Sequence, residues 1–378
     1  MRLGQATRRG RHWVVMVTDR VRRSPARLAW PPRHGHSISL PVWCHPARPC
    51  DGCCGNMPRM TPYTTPPALD PQAQALIAKL EALGIPATHT LPPEQARQAY
   101  VQRRFATQRI PAPLQEVREL SCVGPGGAMA MRCYRDTDPD VPAPALVYFH
   151  GGGWVIGDLE THDVLCRDLA RLSGYTVIAV DYRLAPEAVF PAAVDDANAA
   201  VDWVFNHAAE LNIHPDYIAV GGDSAGGNLA AVVCLARRDA NKPAPCFQLL
   251  IYPATDMRGA SPSHQRCGQG YLLTQDSLAY FVGHYLSSPE QVNDWRASPL
   301  LHASHANLPP ALVMTAGFDP LCDEGRAYAD ALSAAGTPCQ YVCFERQVHG
   351  FVPMGKVLDE ADTAVALCAH ALRRATLP

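Results

Sequence analysis

No run of apolar residues in this 378-residue chain approaches the roughly 20 that a membrane-spanning helix needs. The apolar stretches are about as long as buried strands, so no stable membrane insertion is expected. An excess of positive charge is also missing: 33 Lys and Arg stand against 35 Asp and Glu, for a formal net charge of −2. A general nucleic-acid binder would show a basic footprint over its folded part, so no nucleic-acid partner is expected. The 14 cysteines show no repeated spacing across the main body, and a chain of this size needs no covalent staples. Most are read as free thiols in a reducing compartment, which predicts a cytoplasmic location. Internal repeats are absent. What is present is a composition of 47% hydrophobic and 18% charged residues, enough to build a substantial core in one large α/β domain or two ordinary ones.

Residues 1–59 read differently from the rest. They carry 11 Arg, no Lys and two acids (Asp19 and Asp51), a net +9 that leaves −11 on the other 319 residues. The stretch is proline-rich and lacks a sustained period of 2 or 3.6, so it is expected to be disordered, or extraneous to a protein whose translation begins at Met57 or Met60. Its one apolar run, Trp13 to Val17, is too short for a secretory signal and is followed by Asp19, Arg20, Arg22 and Arg23. The pair Arg8-Arg9 lacks the same apolar region and so does not make a twin-arginine signal. Cys44, His45, Cys50, Cys53 and Cys54 include one Cys-x-x-Cys but no second ligand pair in register, so no metal site is assigned.

From Met60 onward, helical periodicity appears. Leu76, Ile77, Leu80 and Leu83 fall on one helical face, and Gly84 and Pro86 stop that helix. A second amphipathic stretch runs from about Pro93 to Phe105, with Ala96, Tyr100, Val101 and Phe105 apolar. From about Leu120, short apolar runs alternate with helical segments such as Val194 to Ala208. The runs are Leu146 to His150, Thr176 to Val180, Tyr217 to Val220, Gln248 to Tyr252, Ala311 to Thr315 and Gln340 to Phe344. Near-continuous apolar strands separated by helices predict an α/β fold whose mostly parallel sheet is buried on both faces, with working residues at the carboxyl ends of its strands.

Two of those ends carry chemistry. Gly222-Asp223-Ser224-Ala225-Gly226-Gly227 follows one strand and precedes the apolar helix Asn228 to Ala236. This is Gly-x-Ser-x-Gly in the strand–turn–helix setting that exposes a nucleophilic serine. The glycines permit a sharp turn, and the helix N-terminus points its amides where negative charge would develop. A bare small-residue turn is the alternative. His150-Gly151-Gly152-Gly153-Trp154 follows another strand and offers backbone amides to a substrate oxygen. The alternatives there are an idle glycine loop or a phosphate loop, but Gly-Lys-Ser/Thr and Gly-x-Gly-x-x-Gly are both missing.

Together these motifs resemble the bacterial hormone-sensitive-lipase-like esterases of the Gly-Asp-Ser-Ala-Gly group. Further similar segments are Asp181-Tyr-Arg-Leu-Ala-Pro-Glu187, Phe190-Pro-Ala192, Ile251-Tyr-Pro253, Asp319-Pro-Leu321 and His349-Gly-Phe351. The resemblance runs from about Asp70 to the C-terminus and leaves residues 1–59 unmatched. It implies an α/β-hydrolase fold with a helical cap: cap helices in 60–118, a catalytic domain over 119–378, and a second cap segment at about 255–290. It further implies that Ser224 is the nucleophile, Asp319 the acid and His349 the base, and that the amides of Gly152, Gly153 and Ala225 form the oxyanion hole. The order Ser…Asp…His suits this fold. Asp323 and Glu324 fit the acid's place on spacing as well; Asp319 is favoured because it sits nearest the strand end. Asp223 is expected to support the serine turn by hydrogen bonds. Glu187 is expected to anchor the region around the oxyanion loop, or else to be a solvated loop carboxylate. Cys322 departs from relatives that commonly carry Arg after Asp-Pro-Leu. In the second cap segment, Tyr271, Leu272, Leu273, Tyr280, Phe281 and Tyr285 suit an acyl pocket and a buried helix face equally.

The implied reaction is hydrolysis of short- to medium-chain acyl esters of small molecules through an acyl-enzyme, without cofactor or metal, in a monomer or homodimer. An amidase, arylformamidase or lactonase could use the same site, since fold and triad do not fix the leaving group. A non-catalytic small-molecule receptor is the alternative outside enzymes.

Overall fold

The apolar runs become adjacent strands because each must bury both of its faces. The computed structural model describes residues 67–376, which lie in one compact unit. Its elements in chain order are α1 (Pro71–Ala82), α2 (Pro93–Thr107), β1 (Glu116–Gly124), β2 (Gly127–Arg135), β3 (Ala143–Phe149), α3 (Asp163–Ser173), β4 (Thr176–Val180), α4 (Ala192–Asn206), β5 (Ile213–Asp223), α5 (Ala225–Asp239), β6 (Gln248–Ile251), α6 (Pro262–Arg266), α7 (Gln275–Tyr285), β7 (Ala311–Phe318), α8 (Cys322–Ala334), β8 (Cys339–Val348) and α9 (Glu360–Ala375). One eight-stranded sheet has the order β1-β2-β4-β3-β5-β6-β7-β8. From β4 across to β8 all neighbours are parallel, and β1 and β2 join that edge antiparallel.

The antiparallel pair β1–β2 was not among the six expected strands. As the edge strand, β1 is mostly solvated, with Cys122 its one buried residue and Val123 85% exposed, so it shows no continuous apolar run. Gly124-Pro-Gly-Gly127 between two strand-length stretches is the turn signal that identifies the hairpin. β1 also begins at Glu116, three residues before the expected start of the catalytic domain at 119.

Along β3 the side chains alternate between two cores, as strand geometry requires. Val147 and Phe149 pack with Ile178, Val220 and Val201 of α4 and Leu229 of α5. Leu146 and Tyr148 pack with Val177, Leu169 of α3 and Leu372 of α9. Helices therefore cover both faces of the sheet.

Both early helices form where expected. Asp70 caps α1, its carboxylate accepting from the amides of Gln72 (2.8 Å) and Ala73 (3.3 Å), and Gly84 follows the helix with φ +61°. Of the predicted α1 face, Leu76 is buried, whereas Leu83 is exposed because it lies past the helix end. In α2, Ala96 is buried and Phe105 is exposed. The ten cysteines among the described residues are all free thiols, and among these residues no helix is long and apolar enough to cross a membrane. Residues 1–59, with their Cys and His cluster, lie outside the described residues.

Leu229 is fully buried on the helix behind Ser224. Leu229→Ala should lower stability by about 2–5 kcal/mol, whereas Val123→Ser on the exposed edge should change it by less than about 1 kcal/mol. Urea denaturation of both variants checks the contrast; equal losses would show that the core does not run through α5.

Candidate active site

The serine turn is a forced conformation. β5 ends at Asp223, α5 begins at Ala225, and Ser224 between them has φ 56° and ψ −116°, a region costing a non-glycine residue on the order of 1–3 kcal/mol. Its amide donates to the Ile251 carbonyl at the end of β6 (2.8 Å), and its carbonyl accepts from the Asn228 amide (3.0 Å). The backbone is thus held from both sides while the side chain projects away from the sheet.

His349 follows β8, and Asp319 follows β7. The Ser224 hydroxyl lies 2.9 Å from His349 Nε2, and His349 Nδ1 lies 2.7 Å from Asp319 Oδ2. A carboxylate can only accept, so Nδ1–H donates to it and Nε2 is left to accept from the serine. Asp319 is fully buried, and its second oxygen accepts from the Leu321 amide (2.8 Å). The other two candidate acids are engaged elsewhere. Asp323 pairs with Arg266 (2.9 Å). Glu324 is buried and accepts from the amides of Thr255 (2.7 Å) and Asp256 (3.1 Å), and it pairs with His264 (2.9 Å), joining α8 to the loop after β6 and to α6. Cys322 is buried at the start of α8, its thiol 3.9 Å from the Thr315 hydroxyl, so it belongs to local packing rather than to the cavity.

The glycine loop after β3 closes over the serine. Gly152 (φ 127°) and Gly153 (φ 60°) adopt backbone that favours glycine, and a Cβ on Gly153 would run into the ring of Phe281. The Gly152 carbonyl accepts from the amides of Val155 (3.1 Å) and Ile156 (3.0 Å), which fixes the loop. Among the described residues, none of the amides of Gly152, Gly153 and Ala225 donates to a protein acceptor; Ala225 is the first residue of α5, where amides have no intrahelical partner.

Asp223, expected to support the serine turn, hydrogen-bonds across to the glycine loop and so ties the two loops together. It is buried, and it accepts from the Gly151 amide (2.9 Å) and the Tyr148 hydroxyl (2.8 Å), with His162 Nε2 at 3.2 Å. Burial alone would raise its pKa; His162 and the Tyr148 hydroxyl outweigh that and hold the carboxyl below its ordinary value. Glu187 also anchors the region: it takes a two-pronged contact from Arg97 of α2 (2.6 and 2.9 Å), while Arg97 donates to the carbonyls of Val155 (2.8 Å) and Ala185 (2.9 Å). Tyr148, His162 and Arg97 were not singled out from the sequence. Each lies far from its partner along the chain, and no spacing marks it.

The cavity over Ser224 has a volume of about 120 Å³. Thr88, Tyr100 and Arg103 wall it from the α1–α2 segment, and Leu272, Leu273 and Phe281 from the segment around α7. The aromatic set of that segment is therefore divided. Phe281 faces the cavity, Tyr285 stacks on Trp154 in the core (4.6 Å), and Tyr271 packs against Phe318 (5.1 Å). A second hollow of about 220 Å³ shares the walls Trp154, Ala254, Leu278, Val282 and Leu321.

A mostly parallel sheet carrying a serine on a strained strand-to-helix turn, with a histidine and a buried acid beside it, defines an α/β hydrolase. The family described as alpha/beta hydrolase fold matches residues 146–353. The chain is 41% identical over 318 residues to the carboxylic ester hydrolase LipN of Mycobacterium tuberculosis, covering 81% of this chain and 84% of that one. It is 42% identical over 254 residues to an ethyl acetate hydrolase of Pseudomonas putida, covering 66% and 79%. The structure of the ester-hydrolase EH1AB1 from the metagenome of Lake Arreo, complexed with a bipyridine phosphonate derivative, superposes with a TM-score of 0.79 at 41% identity, over 81% of this chain and 98% of that one. The chain belongs to the α/β-hydrolase family, among its hormone-sensitive-lipase-like ester hydrolases.

His150 braces the glycine loop from below. It donates from Nδ1 to the Gly151 carbonyl (2.8 Å) and stacks on Tyr182 (4.3 Å). Burial, with His162 adding to it, pushes its pKa down to about 4. The unfolded chain takes up that proton near about 6.5, so this contribution is fully present above that pH and is lost as pH falls toward about 4. The loss amounts to on the order of 3 kcal/mol at most. Unfolding free energies at pH 7 and pH 4.5 should diverge less for His150→Gln than for the wild type; identical slopes would remove His150 as the source.

Proposed function

We propose that the protein hydrolyses short- to medium-chain carboxylic esters by acyl transfer through Ser224. The observation that carries this reading is the unbroken hydrogen-bond chain from the Ser224 hydroxyl through His349 to the buried Asp319, at the floor of an apolar cavity lined by unpartnered backbone amides. The curated relatives named as ester hydrolases support it.

Ser224 attacks the ester carbonyl while His349 Nε2 takes its proton. Asp319 orients the ring and stabilises the imidazolium as it forms. The carbonyl oxygen, now carrying negative charge, sits on the amides of Gly152, Gly153 and Ala225, where a lost donor typically costs about 10²–10³ in turnover. His349 returns the proton to the departing alcohol. Water then repeats the sequence on the acyl-enzyme, releasing the acid and restoring Ser224. The α1–α2 segment and the segment around α7 act as a cap that excludes bulk water. The space directly over Ser224 is narrow, about 120 Å³, which favours short and medium acyl chains.

Initial rates on p-nitrophenyl esters from acetyl to dodecanoyl test this. Activity should peak among the shorter chains, and Ser224→Ala or His349→Ala should lower kcat by at least about 10⁴-fold with the fold intact. A fluorophosphonate should label Ser224. Folded protein that turns over amides or formamides and no ester would overturn the ester reading in favour of another hydrolase. Protein that binds small molecules without labelling at Ser224 would point to a receptor.

A further inference from the structure

Among the described residues, Arg103 is the only lysine or arginine on the wall of the Ser224 cavity. The other arginines of α2 are committed: Arg97 to Glu187 (2.6 Å) and Arg104 to Glu160 (3.3 Å). The most deeply buried arginines of the sheet domain are also satisfied, Arg237 by Asp202 (2.6 Å) and Arg135 by backbone carbonyls. Among the described residues, the Arg103 guanidinium has no ion pair and no hydrogen bond. Its one close polar contact is the face of the Tyr100 ring, 4.9 Å from the guanidinium carbon. The residue is half-buried, and among the described residues no carboxylate offsets the partial burial that holds its pKa below the ordinary value. A half-buried cation with no acid partner is free to pair with an anion that a ligand brings.

Donors gather around it. Tyr100 lies one helical turn before it on the same face, and burial raises the Tyr100 pKa, which keeps its hydroxyl protonated. That hydroxyl has no protein partner among the described residues. Thr88, just ahead of α2, is on the same wall. Thr88, Tyr100 and Arg103 also line a hollow of about 640 Å³ between α1 and α2, whose wall includes the exposed Gln72 and Lys79. The Arg103 side chain thus borders both the cavity over Ser224 and this α1–α2 hollow.

We propose that Arg103, with the Tyr100 hydroxyl, is a specificity residue that receives a carboxylate carried by the substrate, so that the preferred substrates are esters bearing a second, free carboxylate, such as half-esters of dicarboxylic acids. This rests on the ester-hydrolase reading of the same site. The ester end occupies the apolar cavity at Ser224, while the charged end pairs with the guanidinium in a charge-assisted hydrogen bond on the side of the α1–α2 hollow. A neutral ester of equal length covers the same cation without pairing it.

Hydrolysis of monoethyl succinate, monoethyl adipate and monoethyl suberate, each against the neutral ethyl ester of the matching monocarboxylic acid, tests this by pH-stat. The ratio of kcat/KM, anionic over neutral, is taken within one enzyme preparation, so loss of folded protein cancels. At the best chain length, this ratio should be at least about tenfold higher in the wild type than in Arg103→Met, chiefly through KM, and partly restored in Arg103→Lys. High salt should reduce it in the wild type. Ratios that agree within about twofold between wild type and Arg103→Met at every length would overturn the inference while leaving the ester hydrolase standing. Folded protein that cleaves neither class, yet turns over amides, would overturn both.

Discussion

A buried carboxylate, Asp223, holds the two halves of the site in register. It is the residue before Ser224, yet its hydrogen bonds reach the Gly151 amide, the Tyr148 hydroxyl and His162. A negative charge in the interior is tolerable only when saturated with donors, so these partners cannot drift without exposing a desolvated charge. The serine turn and the glycine loop come from different strands, β5 and β3, that are neighbours in the sheet. Backbone pairing brings the strand ends close, and the carboxylate sets the loops beyond them. The strained Ser224 persists because this surrounding network over-determines it.

The walls above that floor are attached by a few long-range polar contacts and by aromatic packing. Arg97 clamps α2 to Glu187 and to the loop after Trp154, and Tyr285 of α7 stacks on Trp154 itself. Buried Glu324 fastens the α6 segment to α8 through His264 and the amides of Thr255 and Asp256. Trp154 therefore sits at the junction of the glycine loop, the α7 wall and the apolar core. The polarity of the cavity is uneven: Leu272, Leu273, Leu278 and Phe281 make an apolar wall, and Arg103 stands toward α1 and α2.

Much of this was legible because the relevant signals are local. The turn Gly222 to Gly227 and the loop His150 to Trp154 announce themselves by glycine content next to apolar runs. Helices α1 and α2 follow from periodicity with Gly84 and the prolines as punctuation. The edge hairpin β1–β2 was missed because its outer strand, β1, is mostly solvated and lacks the apolar run that marks a buried one, although Gly124-Pro-Gly-Gly127 carried the turn signal. The aromatic residues of the α7 segment could not be sorted between core and cavity, since a ring facing Trp154 and a ring facing Gly153 look alike in one dimension.

The sequence by itself determined the α/β alternation, the serine turn, the glycine loop and the short set of acids and histidines able to serve Ser224, because backbone conformation and strand burial leave their mark on neighbouring residues. Only the tertiary structure separated Asp319, Asp323 and Glu324, by giving each a different partner: His349, Arg266 and His264. It alone showed that Asp223 spans two loops and that Arg103 lines the cavity with no acid to meet it among the described residues. The reason is physical: charge pairing and burial depend on which distant segments the sheet and its helices bring within a few ångströms, and sequence separation carries almost no record of that.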